Sequence, residues 1–188
     1  MKEKELKQLY RYEEKEVVYY IDVQLEDYRD AYSEWDYSPF NNRDLDDDLT
    51  EYLLECSFEI PFRYNIIINF HLLHQQISAT REKRSIEGMY NYFAYKIRKI
   101  KNYRMRTLRD TIAFLIIGSV LLISGTITEK YVQNSMVIKL ISEGLFIGGW
   151  VMIWEMFSSW FFNIKKLTDE IKHFTRLKST RIIYTYKD

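Results

Sequence analysis

The 188-residue chain has one cysteine, Cys56, and two prolines, Pro39 and Pro61. A lone cysteine excludes an internal disulfide framework, as expected for a module in a reducing cytoplasm. From residue 75 onward there is no proline to break a helix, and Gly88 is the sole glycine before residue 111. The first 16 residues are charged throughout and lack an apolar h-region, so no cleavable signal peptide is expected. The chain also lacks a phosphate loop, a GxGxxG fingerprint and a nucleophile elbow. The remaining absence concerns charge: residues 111–128 contain no ionisable side chain at all.

That last gap marks one of two apolar segments. The second, residues 136–162, is interrupted only by Lys139, Glu143 and Glu155. Segments of this length match a hydrocarbon core of about 30 Å crossed at about 1.5 Å per helical residue. A slightly negative mean hydropathy and zero net charge conceal them, because charge is segregated along the chain. Residues 1–74 carry 18 Asp and Glu against 8 Lys and Arg, whereas residues 75–110 carry 3 against 10. Basic residues flank both outer sides of the pair, from Lys96 to Arg109 before it and at Lys165, Lys166 and Lys172 after it. The connecting residues 129–135 hold only Lys130 among basic residues. The positive-inside rule then predicts a two-span transmembrane hairpin with both termini cytoplasmic.

The rest reads as a small α/β cytoplasmic module formed by both chain ends, giving an α+β membrane protein. Residues 1–16 read as a charged arm, helical or disordered. Residues 17–74 make the module proper. Val17, Tyr19, Ile21, Val23 and Leu25 alternate as one face of a strand, with Asp22 and Gln24 on the other. Residues 26–48 form a long acidic loop. Leu49, Leu53, Leu54 and Phe58 fall at helical spacing behind the carboxylates of Asp44, Asp46, Asp47 and Asp48, which suit a helix N-terminus. The run Ile66-Ile67-Ile68 within 63–72 suggests a strand buried on both faces. Residues 75–110 continue as a basic juxtamembrane helix, with Ile86, Tyr90, Phe93, Ile97 and Ile100 forming a seam. A matching seam, Ile164, Leu167, Ile171 and Phe174, lies in 163–188, which ends in a third strand over 180–186. The two seams are expected to meet antiparallel.

Candidate sites are few. Asp44-x-Asp46-x-Asp48 with Glu55 imitates calcium-loop spacing, but Leu49 stands where glycine is needed, and helix capping explains the carboxylates better. His71-x-x-His74 lacks a neighbouring cysteine or carboxylate cluster and reads as ordinary polar residues at a strand end. No metal, cofactor or catalytic residue is expected. The basic segment 96–109 suits anionic lipid headgroups rather than nucleic acid. Gly144 and Gly148 are spaced for close helix packing, either against Gly118 and Gly125 of the same chain or against another subunit. Folding the hairpin tightly, with Thr128 opposite Met136, places Thr111 opposite Ile153. Glu155 then sits at the inner headgroup level with Trp154 and Trp160, and Trp150 and Trp154 share a stripe with Glu143. Glu143 lies roughly 10 Å inside the outer boundary, available for function or for a structural pair with Lys139.

Two segments carry a resemblance: Ser38-Pro39-Phe40-x-x-Arg43-Asp44-Leu45-Asp46 and Glu143-Gly144-Leu145-x-Ile147-Gly148-Gly149-Trp150-Val151-x-x-Trp154-Glu155. Over about residues 19–186 the chain resembles small two-span proteins of bacteria and archaea. The resemblance implies a prokaryotic inner-membrane setting and brings no activity, substrate or catalytic residue. The resulting expectation is a homo-oligomeric, non-enzymatic, ion-conducting or membrane-perturbing effector gated by its cytoplasmic module. The alternative is a membrane-anchored scaffold or sensor recruiting a cytoplasmic partner through the acidic loop and its residues Arg43, Asp44, Asp46 and Asp47.

Overall fold

A computed structural model describes residues 3–39, 41–73, 77–131 and 136–187. It is a mixed α+β chain of two compact units, Met1–Arg98 with Ile171–Asp188, and Lys99–Glu170. His74, Phe40 and residues 132–135 of the connecting loop lie outside the described residues.

The first unit is built on a four-stranded sheet in the order β1-β2-β3-β4, formed by Arg11–Glu13, Val18–Gln24, Asn65–Leu73 and Arg181–Lys187. The expected three strands are all present, and β4 does join β3, in parallel from Ile67↔Arg181 to Leu73↔Lys187. The fourth strand is a correction. The N-terminal arm folds into α1, Glu3–Leu9, and then β1, which runs antiparallel to β2. Three residues are too few for a periodicity signal. Side-chain pairing holds β1 instead: Tyr20 donates to Glu13 at 2.8 Å, the Arg11 guanidinium lies 3.9 Å from the Tyr20 ring centroid, and the Tyr12 and Tyr19 rings are 4.6 Å apart.

Strands β2, β3 and β4 are parallel, and parallel neighbours require crossovers. The first crossover contains α2, Asp47–Glu59. The second contains everything from α3, Ala79–Tyr131, through α4, Met136–Ser158, to α5, Lys165–Ser179. The apolar hairpin is thus an insertion within a β-crossover-β connection.

One sheet face carries Tyr19, Ile21, Ile66, Ile68, Phe70 and Ile182, all buried. It meets Leu53 and Cys56 of α2, Met89 and Phe93 of α3, and Phe174 and Leu177 of α5, also buried. Phe93 and Phe174 lie 6.4 Å apart, so the two expected seams do meet within this unit. The α3 seam is rotated slightly: Ser85, Met89 and Tyr92 are buried, while Ile86 and Tyr90 are only partly so. Val17, expected on the buried face of β2, is exposed instead and takes φ 55°, an uncommon conformation for a β-branched residue.

Polar side chains lock the helices to this core. Arg176 of α5 donates to the carbonyls of Ser57, Ile60, Pro61 and Tyr64 at 2.5–3.1 Å, satisfying the C-terminal end of α2 and the turn after it. Ser57 Oγ and His173 Nδ1 are 2.9 Å apart, and the His173 ring lies 3.7 Å from that of Phe58. Tyr32 donates to Ser85 O, and burial pushes its phenol up to about 12, which keeps the donor proton in place. Tyr186 donates to Glu82 and meets Tyr28 at 2.6 Å.

In the second unit, α3 and α4 form an antiparallel pair joined by small residues. Thr111, Gly118 and Gly125 recur every seven residues on α3 and are buried, the spacing that keeps one seam facing a partner helix. A Cβ at Gly118 would lie 3.0 Å from Gly149 O, and one at Gly149 would lie 2.7 Å from Leu122 Cγ. Ser142 donates to Gly125 O at 2.9 Å, and the Thr111 and Ser159 hydroxyls are 2.8 Å apart. Ser159 opens a π-helical turn, Ser159–Ile164, whose wider winding changes the helix phase at this layer. Both helices are long and apolar enough to cross a membrane. Only 17% and 11% of their most apolar windows are buried.

Candidate functional site

The hairpin carries most of the residues singled out by sequence. Its register differs from the tight fold-back: Thr111 meets Ser159 rather than Ile153. Glu155 therefore precedes the Thr111–Ser159 layer on α4 and lies beside the apolar stretch of α3, not beyond its end. Gly118 and Gly125 do sit at the helix-helix contact, together with Gly149, which the Gly144-x-x-x-Gly148 reading passed over. A Cβ at Gly144 would meet nothing within 4 Å, and one at Gly148 would make ordinary contact with Leu121 at 3.7 Å. The signal that finds Gly149 is its heptad spacing from Ser142.

Lys139, Glu143 and Glu155 are all exposed on α4. None forms an ion pair or hydrogen bond among the described residues, so the Lys139–Glu143 pair is not made. Helical spacing puts Lys139, Glu143, Trp150 and Trp154 on one stripe, about a quarter turn from the buried Ser142 and Gly149. Trp150 and Trp154 are 64% and 75% exposed, and Trp160 is exposed as well. The outward face of α4 thus presents an unpaired carboxylate, an unpaired ammonium, an open glycine and two large aromatic rings.

The acidic loop is more ordered than its composition suggests. Asp27 and Asp30 form a capping box around a 3-10 turn, Tyr28–Ala31. Burial opposes the charge of Asp27, but hydrogen bonds from Arg29 and the charges of Arg29 and Arg81 outweigh it and hold the carboxyl below its usual range. Tyr32 bridges to Leu45, Ser33 N donates to Asp44 O, and Asp46 N donates to Ala31 O. These bonds close the neck of a compact surface loop. Within it, the Asp36 carboxylate accepts from Ser38 N and Asp44 N. Trp35 and Tyr37 project into solvent, 96% and 101% exposed. Asp46 is the N-cap of α2, accepting from Leu49 N at 3.1 Å, and Asp47 occupies its first turn. Both carboxylates therefore suit the N-terminal end of α2. Asp44 and Arg43 lie elsewhere, beside α3.

A third cluster escaped sequence reasoning. On the sheet face opposite the core, Asp22 Oδ1 accepts from Asn69 Nδ2 at 2.7 Å and Arg11 Nη2 at 3.2 Å, and His71 Nε2 lies 2.7 Å away. Thr185 donates to Asn69 Oδ1, linking three strands. Burial disfavours the Asp22 charge, yet the Asn69 and His71 hydrogen bonds and the Arg11 charge hold its carboxyl below the usual range. His71 Nδ1 is buried without a partner. Among the described residues no nucleophile bonds to His71, and no metal-ligand trio occurs. The available signal was the alternation of Asn65, Asn69 and His71 within an otherwise apolar strand. Compared with known protein families, curated proteins and solved structures, the chain matches none of them.

Proposed function

We propose that the chain is a homo-oligomeric integral membrane protein of a prokaryotic inner membrane, with both termini cytoplasmic. In this reading it conducts cations or perturbs the bilayer under control of its α/β unit. The observation that carries the reading is Glu143, exposed and unpaired on a helix whose other charged residues are Lys139 and Glu155. An unpartnered carboxylate facing hydrocarbon costs several kcal/mol at least. Copies of the hairpin associated through the outward face of α4, with Gly144 allowing close approach, would remove that cost by turning the carboxylates toward a shared watery axis. A ring of carboxylates draws cations. The exposed apolar surface of α3, including Ile112, Leu115, Ile116, Val120, Ile123 and Ile127, suits lipid. Helix α3, Ala79–Tyr131, contributes residues to both units.

The test is cation flux in liposomes, with subunit mass measured in detergent. The expected result is an oligomer whose flux falls at least tenfold in Glu143→Gln while its mass is unchanged. Reporter fusions at both ends should read cytoplasmic. A monomer without flux overturns the reading. In that case the scaffold or sensor function takes precedence, favoured by the solvent-exposed Trp35 and Tyr37 on the acidic loop, since exposed aromatics anchor protein interfaces.

A further inference from the structure

Beside α3, and wholly within the α/β unit, the returning arm of the acidic loop forms one wall of an open cleft of about 450 Å³. That volume lies in the range of small-molecule sites. Arg43 and Asp44 line it from the loop, and Asn91, Tyr95 and Arg98 line it from α3. Spacings of four and three residues put those three α3 residues on one helix face. The loop is fixed against that face. Asn91 donates to Asn41 O at 3.0 Å, Asn42 N closes back on Pro39 O at 2.8 Å, and Asp44 N is held by Asp36 at 2.7 Å.

The unusual member is Arg43. Its Nε is buried, yet it has no hydrogen-bond partner, and no other nitrogen of its guanidinium makes a hydrogen bond or ion pair among the described residues. A buried donor on a charged group normally finds an acceptor, because leaving it unmade forfeits the hydration it has lost. By contrast, the half-buried Arg176 in the same unit makes four bonds to carbonyls. Arg43 thus lines the cleft with its Nε packed against protein and unbonded, the Asp36 carboxylate is a counter-charge acting on it, and Arg98 brings a second arginine to the same space.

We propose that this cleft binds a small organic phosphate. Two guanidinium forks match the oxygens of a phosphate ester, and Arg is the residue suited to that planar, bidentate recognition. Inorganic phosphate would fill only a fraction of the volume. The Asp44 carboxylate on the wall would repel a bare polyanion and favours a ligand whose remainder carries hydroxyl or amino donors. The amide of Asn42 and the ring of Tyr95 complete a lining for such a body. The site stands independently of the hairpin's role.

The experiment is calorimetric titration of the full chain in detergent with three probes: inorganic phosphate, adenosine monophosphate and dihexanoyl phosphatidylglycerol. Binding of an ester probe in preference to inorganic phosphate is expected. The probe preferred distinguishes a free metabolite from a lipid headgroup as the source. Arg43→Gln and Arg98→Gln should each weaken binding at least tenfold. Arg43→Gln should also leave the thermal midpoint of the unliganded protein unchanged or raised, since that side chain contributes no bond to the fold. Lys178→Gln, on the exposed face of α5, should bind normally. The proposal is overturned if no probe binds, or if Lys178→Gln weakens binding as much as Arg43→Gln, which would mark diffuse charge attraction.

Discussion

The α/β unit and the hairpin meet the demands of packing with opposite residue choices. The unit fills its core with Tyr, Phe and Ile and spans its seams with long polar side chains, as Arg176 does at the end of α2. The hairpin removes side chains from its seam. Gly118, Gly125 and Gly149 let two backbones touch, and Ser142, Thr111 and Ser159 add hydrogen bonds between α3 and α4. Where water competes, apolar burial drives assembly and polar locks refine it. Where a helix is surrounded by apolar groups, close van der Waals approach and a few hydroxyl bonds supply the cohesion.

The largest expected effect tests the polar lock. Arg176→Ala leaves four carbonyls without their donor, a loss of about 3 kcal/mol or more. A two-step thermal melt should show the α/β transition falling by many degrees, with the hairpin's helical signal retained to higher temperature. Coincident loss of both transitions would show that the two units do not differ in this way.

The next test concerns the seam of the hairpin. Gly149→Ala puts a methyl 2.7 Å from Leu122 Cγ and 3.1 Å from Gly118 O, and backbone has little room to yield. Overpacking of this kind costs about 1–3 kcal/mol. Gly144→Ala meets open space, so within one hairpin it should gain up to about 1 kcal/mol from helix propensity. Unfolding in detergent should rank Gly144→Ala above the parent and Gly149→Ala below it. The reverse order would break the assignment of the seam. If Gly144→Ala weakens subunit association while the hairpin itself holds, Gly144 lies in the oligomer contact.

The smallest effect depends on pH. The Asp22 carboxyl is held below its ordinary value in the folded unit, so its contribution is fully present above that ordinary value, about 3.9. It is lost as pH falls through the folded value. Because about a third of the side chain is exposed, solvent screening limits the contribution to about 1 kcal/mol at most. Asp22→Asn should lower stability slightly at pH 7 and flatten its decline below pH of about 4, read from denaturant midpoints across pH. An unchanged acid slope would assign the decline to other carboxylates such as Asp27.

Composition and periodicity alone determined the two apolar helices, the strands around Tyr19, Ile68 and Ile183, and the capping of α2 by Asp46, because each is a local pattern of spacing or of helix-end chemistry. Tertiary structure decided the rest. Strand β1 exists through Tyr and Arg partners distant from any periodicity. The hairpin register rests on which small residues face each other, Gly125 against Ser142 and Gly118 against Gly149, and not on the tightest possible fold-back. Asp22 and His71 lie 49 positions apart and become neighbours only through parallel pairing of β2 with β3. Arg43 was legible as a charged residue in an acidic loop. Only folding of that loop against α3 could bury its Nε without an acceptor, because burial is a property of everything that surrounds a side chain and not of its neighbours in sequence.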